Sequence, residues 1–398
     1  MQTALLYAVC IIIKEKGDVM RSRIVVKVGV LMILVVSAFL LSWLIIMNQR
    51  SSSTFQLVRL GQENSYLFPV YTNYVCSARD IAGVSVSALV PDPTLIETVV
   101  IVQHGISRNA SYYSKALGKA YEQADTPQDK TLIIAPHFFA QPFSKDECVY
   151  ATLLKKCSVP VWKKQEWSQG CCSLKGAKIS SFTVYDDLLA ALANNQDFSA
   201  LKKIIFIGHS AGGQCVHRYA ILNDVCEKHV AAGYEISYVI ANPSSYLYFT
   251  DERQTSEGFV PYDLAFCPLY NSYKYGLEGV QDLCYKALFT DGVKNISSSL
   301  SLVDAQVLFT RFAQRSVHYV LSMDDTEAYG LHLDSGCEAQ AQGKNRYERG
   351  RSYCDYEQYL SSRWGALLNH TYCLVPAVGH DKDLVFLSQC VNRALFKQ

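Results

Sequence analysis

The pentapeptide Gly208-His209-Ser210-Ala211-Gly212 constrains this chain more than any other feature. Before it stands Lys202-Lys203-Ile204-Ile205-Phe206-Ile207, in which Ile204–Ile207 reads as a buried strand. After it, Gly213-Gln214-Cys215-Val216-His217-Arg218-Tyr219-Ala220 reads as a helix. A G-x-S-x-G sequence between a strand and a helix is the pattern of a nucleophile elbow. The turn is tight, and strand and helix pack closely around it, so Gly208 and Gly212 are needed for space. Such a turn lifts the Ser210 hydroxyl clear of the sheet.

The rest of the chain repeats the alternation. Apolar runs at Thr98–Gln103, Thr131–Ala135, Lys203–Gly208, Ile236–Ala241, Val317–Ser322 and Thr371–Val375 are short and largely β-branched or aromatic. Runs of this kind are the mark of strands buried on both faces. Helical periodicity occupies Ser181–Ala193, Gly213–Asn223 and Lys382–Phe396. Strand alternating with helix predicts an α/β fold, with a mostly parallel central sheet flanked by helices. Three stretches, 138–180, 243–312 and 326–368, break the rhythm and are expected to be long, lid-like insertions.

A serine hydroxyl is a weak nucleophile and needs a general base oriented by an acid. With a nucleophile elbow the chain order is serine, acid, histidine. His380 follows the last strand-like run and precedes the last helix, which is where the base belongs. His318 lies within a strand, His332 within an insertion, and His370 ahead of the last strand, so they fit less well. Val317–Ser322 runs into Met323-Asp324-Asp325-Thr326, and one of these two aspartates is the expected acid. Two backbone N–H groups must receive the charge that develops on the attacked oxygen. Ala211 supplies the first. Ile106 supplies the second, from the loop His104-Gly105-Ile106-Ser107-Arg108-Asn109, where Gly105 allows close approach and His104 is read as a structural loop residue.

The N-terminal segment bears on location. Residues 28–47 are a 20-residue apolar run without a charge, broken only by Ser37 and Ser42. As a helix this run would span about 30 Å, enough to cross a bilayer core. Lys14, Lys16, Arg21, Arg23 and Lys27 precede it, and Arg50 alone follows closely. The positive-inside tendency predicts a single-pass type II anchor at 28–47, a cytosolic segment at 1–27, a stalk at 48–65 and a luminal or extracellular domain at 66–398. A secreted form, cleaved near Val36-Ser37-Ala38, is the alternative. Of 14 cysteines, 13 lie after residue 50, and no C-x-x-C pair occurs. Disulfides in an oxidising compartment are expected rather than a metal cluster. Cys267 with Cys284 and Cys337 with Cys354 are the expected local pairs. Sequons at Asn109, Asn295 and Asn369 agree with exposure to a glycosylating compartment. Lys and Arg number 37 against 36 Asp and Glu, a balance that argues against a nucleic-acid partner.

Over residues 95–398 the chain resembles the α/β-hydrolase superfamily, and within it a group of secreted or membrane-anchored serine hydrolases. The resemblance rests on His104 to Ala110 (H-G-x-x-R-N-A), Gly208 to Gln214 (G-H-S-A-G-G-Q), Arg218 to Ala220 (R-Y-A) and Ala241 to Tyr246 (A-N-P-S-S-Y). It also rests on Gln342 to Gly350 (Q-G-x-x-R-x-x-R-G) and Gly379 to Asp381 (G-H-D). Ser322-Met323 stands where related sequences tend to have glycine and an acidic residue. The resemblance implies the α/β-hydrolase fold and serine-dependent hydrolysis through a covalent acyl-enzyme, with no cofactor or metal. In related hydrolases the acid tends to precede a threonine directly, which selects Asp325, before Thr326, over Asp324. The resemblance implies no substrate; the reading of the residues expects a small-molecule or lipid-like ester, less readily an amide. An acyltransferase would use the same Ser210, His380 and Asp325, and a non-catalytic binding or adhesion ectodomain on the same scaffold is the other reading.

Overall fold

Eight strands form one sheet in the computed structural model, which describes residues 54–396 apart from 62–64, 75–82, 125–127, 286–301 and 331. In chain order they are β1 (Thr54–Leu60), β2 (Tyr66–Thr72), β3 (Thr98–Gln103), β4 (Thr131–Pro136), β5 (Lys203–His209), β6 (Glu235–Ala241), β7 (Ser316–Ser322) and β8 (His370–Val375). Their spatial order is β1-β2-β4-β3-β5-β6-β7-β8. β1 and β2 form an antiparallel pair, β2 runs antiparallel to β4, and every other neighbour is parallel.

The unbroken apolar strands are explained by helices on both sheet faces. The main helices are α1 (Ala110–Gln123), α2 (Ser181–Ala193), α3 (Ala211–Leu222), α4 (Leu302–Ala313), α5 (Arg346–Trp364) and α6 (Gln389–Phe396). Val100, Val102, Ile205 and Ile207 pack with Tyr113 and Leu117 of α1 and Val391 of α6. Their strand neighbours Val99, Ile101, Ile204 and Phe206 pack with Leu188 of α2, Tyr219 of α3, Phe312 of α4 and Tyr353 of α5. Successive strand residues point to opposite faces, so each strand feeds both cores. Each fully buried aliphatic or aromatic side chain contributes about 1.5–3 kcal/mol. α3 is buried along its whole length, since the insertions cover the side turned away from the sheet.

Three differences from the sequence reading matter. Thr54–Leu60 falls in the stretch read as a stalk, yet it pairs along its length with β2, with Phe55 opposite Tyr71 and Leu57 opposite Pro69. The polar start at Ser51-Ser52-Ser53 and Gln56 mask it in sequence, and Pro69 masks its partner. The final helix is two pieces, Lys382–Phe386 and Gln389–Phe396. The third difference is the disulfides. The apolar run 28–47, the segment 1–27 and Asn295 lie outside the described residues. Among the described residues no helix is long and apolar enough to cross a membrane.

The expected local disulfide pairs do not form: two longer links take up three of their four cysteines, and a third, equally local link lies near the C-terminal end of the fold. Cys172 bonds Cys284, Cys267 bonds Cys337, and Cys373 bonds Cys390. Cys354 is instead a buried free thiol on α5. Loop-closure entropy favours near neighbours, but a bond forms only where the fold brings Cα atoms within about 4.4–6.8 Å. Here they lie 5.3, 5.7 and 5.6 Å apart. The first two bonds join insertion 138–180 to 243–312, and 243–312 to 326–368. Peptide mapping without reduction is therefore expected to recover these three links, with Cys215 and Cys354 alkylated only after denaturation. Recovery of Cys267–Cys284 or Cys337–Cys354 would contradict the arrangement.

Candidate active site

Ser210 joins β5 to α3 with φ 61° and ψ −124°, outside the regions that an ordinary L-residue prefers. The turn is held from both sides. The Ser210 N–H donates to the Ala241 carbonyl at the end of β6 (3.0 Å), and its own carbonyl accepts from Gln214 N–H (3.0 Å). Space is the other requirement. A Cβ on Gly208 would strike the Gly212 carbonyl, and one on Gly213 would stand 2.6 Å from the Ala241 carbonyl. Glycines here let α3 start directly against the sheet.

His380 lies in the loop after β8. Its Nε2 is 2.9 Å from Ser210 Oγ and its Nδ1 is 2.6 Å from Asp325 Oδ2. An ionised carboxylate only accepts, so Nδ1 carries the proton and Nε2 accepts from the serine hydroxyl. Asp325 is buried just beyond β7, whereas Asp324 is exposed. Asp324 N–H donates to the Val378 carbonyl (3.0 Å), tying the acid's loop to the histidine's loop. Asp381 Oδ1 accepts from the N–H groups of Asp383 and Leu384, anchoring the chain on the far side of His380.

Arg346 completes the surroundings of Asp325. Its Nη1 lies 3.4 Å from Asp325 Oδ1, its Nε donates to Ser244 Oγ (3.0 Å) and its Nη2 to the His332 carbonyl (2.9 Å). Burial pulls the Arg346 pKa down, and the Asp325 carboxylate opposes that pull. Of the rival histidines, His370 and His318 stand elsewhere. His370 is bonded to Glu357 (2.8 Å) and the Phe312 carbonyl (3.0 Å), and His318 to Thr371 on β8 (2.7 Å). His332 sits on the rim of the cleft.

The loop 104–109 is braced from below. Phe138 N–H donates to His104 Nε2 (3.1 Å), so His104 Nδ1 carries the proton and donates to the Gly105 carbonyl (2.9 Å). Burial takes the His104 pKa down to about 3, and its ring packs on Trp167 with centroids 4.5 Å apart. Arg108, with φ 53°, holds Glu147 through Nε (2.8 Å) and Nη2 (2.7 Å). Burial would raise the Glu147 pKa, but His137 and Arg108 beside it bring it to about 2. Gly105 is required because the Tyr113 hydroxyl fills the place of a side chain. Ile106 and Ala211 line the same cleft as Ser210. The Ala211 N–H opens α3 and has no acceptor within its own helix.

The cleft encloses about 380 Å³, and its other walls are Gln165, Gln214, Ser244, Lys274 and the segment His332–Gly336. Gln165 comes from the first insertion, Ser244 and Lys274 from the second, and 332–336 from the third. The site residues picked out in the sequence thus meet at one place. Sequence reasoning passed over Arg346, Ser244, Gln214, Lys274 and Asp334. A signal existed for the first three, since Ser244 and Arg346 lie in A-N-P-S-S-Y and Q-G-x-x-R-x-x-R-G, and Gln214 closes G-H-S-A-G-G-Q. Nothing comparable marks Lys274 or Asp334.

No family profile matches the chain, and no curated protein matches it. Among solved structures it is similar to the LpqC poly(3-hydroxybutyrate) depolymerase from Bordetella parapertussis. Identity there is 21%, over 83% of this chain and 84% of that one, with a TM-score of 0.50. It is also similar to poly(aspartic acid) hydrolase-1 from Sphingomonas sp. KT-1, at 18% identity over 86% of this chain and 97% of that one, with a TM-score of 0.49. The strand order, the elbow after β5, the loops after β7 and β8 that carry Asp325 and His380, and the likeness to the depolymerase agree: this chain has the α/β-hydrolase fold.

Proposed function

We propose that this protein is a serine hydrolase that cleaves small-molecule esters through a covalent acyl-enzyme. The observation that carries the reading is the continuous hydrogen-bonded series Ser210–His380–Asp325 opening into a cleft. Ser210 Oγ attacks the ester carbonyl while His380 Nε2 takes its proton. Asp325 holds the imidazole in the Nδ1–H tautomer and stabilises the imidazolium. The N–H groups of Ala211 and Ile106 receive the oxyanion, an effect of about 10²–10³ in kcat per donor. Collapse of the tetrahedral intermediate expels the alcohol, which takes the proton back from Nε2. Water then repeats the sequence on the acyl-enzyme and frees the acid. Arg346 acts through Asp325 as a positioning residue.

The same reading places the domain outside the cytosol, with 28–47 as a type II signal anchor. Its supports are the basic flank before that run and the three disulfides, which a reducing cytosol would not sustain.

Two outcomes are expected. A fluorophosphonate probe should label the wild type and leave Ser210→Ala unlabelled. Asp325→Asn should lose about 10⁴-fold in kcat, as removal of a triad acid does, while Asp324→Asn loses less than about tenfold. Circular dichroism would verify that both variants are folded, and the opposite ranking would move the acid to Asp324. For topology, protease added to intact microsomes should spare the catalytic domain, and its digestion without detergent would defeat the anchor assignment.

A further inference from the structure

One ammonium lines the cleft at Ser210, and three guanidinium groups are bonded to its lining residues. Arg218 of α3 is fully buried and donates to Ser245 Oγ (3.0 Å), Gln214 Oε1, the Ser168 carbonyl and the Lys274 carbonyl (each 3.3 Å). Arg349 of α5 is also fully buried, donating to the carbonyls of Ser244 (2.6 Å) and Gly343 (2.8 Å), while its Nη2 has no hydrogen-bond partner. Arg346 is bonded to Ser244 and His332 as described. Lys274 Nζ stands 3.0 Å from Asp334 Oδ2, with a fifth of each side chain exposed. Gln214, Ser244, Lys274 and His332 all line the cleft. Each guanidinium is therefore bonded directly to a cleft-lining residue.

Carboxylates do not balance these charges. Asp325 is shared by Arg346 and His380, and Asp334 by Lys274 and Tyr275. Among the described residues neither Arg218 nor Arg349 has a carboxylate at ion-pair distance. Four cations against two carboxylates leave an excess of two positive charges around the cleft. Glu327, Glu338 and Glu348 also act on this group, but from partly or wholly exposed positions where water screens them. Cations held in a low-dielectric wall focus their field into the cleft they line.

We propose that the cleft selects esters that carry a carboxylate, with Lys274 Nζ meeting that group and Arg218 and Arg349 supplying the field behind it. The inference rests on the hydrolase reading and names its substrate class. Lys274 is suited to the contact because it reaches the cleft surface, whereas Arg218 and Arg349 are fully buried behind it. A neutral ester of the same shape gains nothing from the excess charge.

The test uses full-length protein and two matched pairs of stable esters. Monomethyl succinate against dimethyl succinate places the charge on the acyl side, and acetoxyacetate against its methyl ester places it on the leaving group. Turnover is followed by pH-stat with wild type, and binding by calorimetry with Ser210→Ala. In at least one pair the anionic member should be favoured about tenfold or more at low salt, and the preference should shrink several-fold near 0.5 M salt. Gln214→Glu, which sets a carboxylate against Arg218, and Lys274→Gln should each lower the preference ratio. Equal or better use of the neutral member in both pairs would overturn the inference, as would a preference that salt and both variants leave unchanged. Binding to Ser210→Ala needs no turnover. Anion binding without any turnover therefore sinks the hydrolase reading alone, and turnover without anion preference sinks this inference alone.

Discussion

A buried carboxylate must have both oxygens bonded, and at Asp325 that requirement organises the whole site. Oδ2 takes the His380 Nδ1 proton, and Oδ1 faces the Arg346 guanidinium. Neither partner comes from the strand that carries Asp325. His380 is brought by the loop after β8, and Arg346 by the first turn of α5. Removing either partner would leave charge uncompensated in a buried place, at a cost of several kcal/mol. Arg346 then extends the bonding outward to Ser244, after β6, and to the His332 carbonyl on the cleft rim. One carboxylate thus fixes four separate segments relative to Ser210.

The insertions are best understood from that centre. Apart from α4 and α5 they hold little regular structure, yet they provide most of the cleft wall. Trp162 and Trp167 of the first insertion are fully buried, and Trp167 supports His104 beneath the loop 104–109. The second insertion supplies Lys274 and the third Asp334, and the two meet in an ion pair. Disulfides bind the three insertions into a series, 172 to 284 and 267 to 337. Gly336, beside the second bond, lines the cleft. Long loops with few backbone ladders would otherwise be free to move, and covalent links limit that freedom where a wall must hold its shape.

What could be read from sequence follows the range of the interactions involved. The central strands were legible because burial on both faces leaves a local trace, an unbroken run such as Thr98–Gln103. The elbow was legible because its glycines answer to contacts within a few residues. Asp325 and His380 were legible because chain order on this fold assigns them to strand ends. β1 was hidden because it lies at the sheet edge and carries Gln56 and Arg59. α5 was hidden because its buried positions include Arg346, Arg349 and Glu357, which blur an apolar stripe. Lys274 and Asp334 have meaning only through each other across 60 residues, and the disulfides likewise depend on contacts between insertions.

The protein uses two kinds of buried base around Ser210, and they are electrically different. His104 in the loop 104–109, His209 in the elbow and His217 farther along α3 have pKa values pushed down by burial, so they stay neutral. His104 acts through its hydrogen bonds and packing, His209 and His217 through packing alone, and none of the three adds charge. The other buried bases, behind the cleft-lining residues, are arginines. Burial lowers them as well, Arg349 to about 10, which still leaves the guanidinium charged at neutral pH. Three of the four cations around the cleft are thus guanidinium groups, which stay charged at neutral pH, whereas the buried histidines beside the elbow carry no charge. His209 lies against the His380 ring, with centroids 4.5 Å apart. A protonated imidazole there would oppose the imidazolium that His380 must become, and burial prevents it.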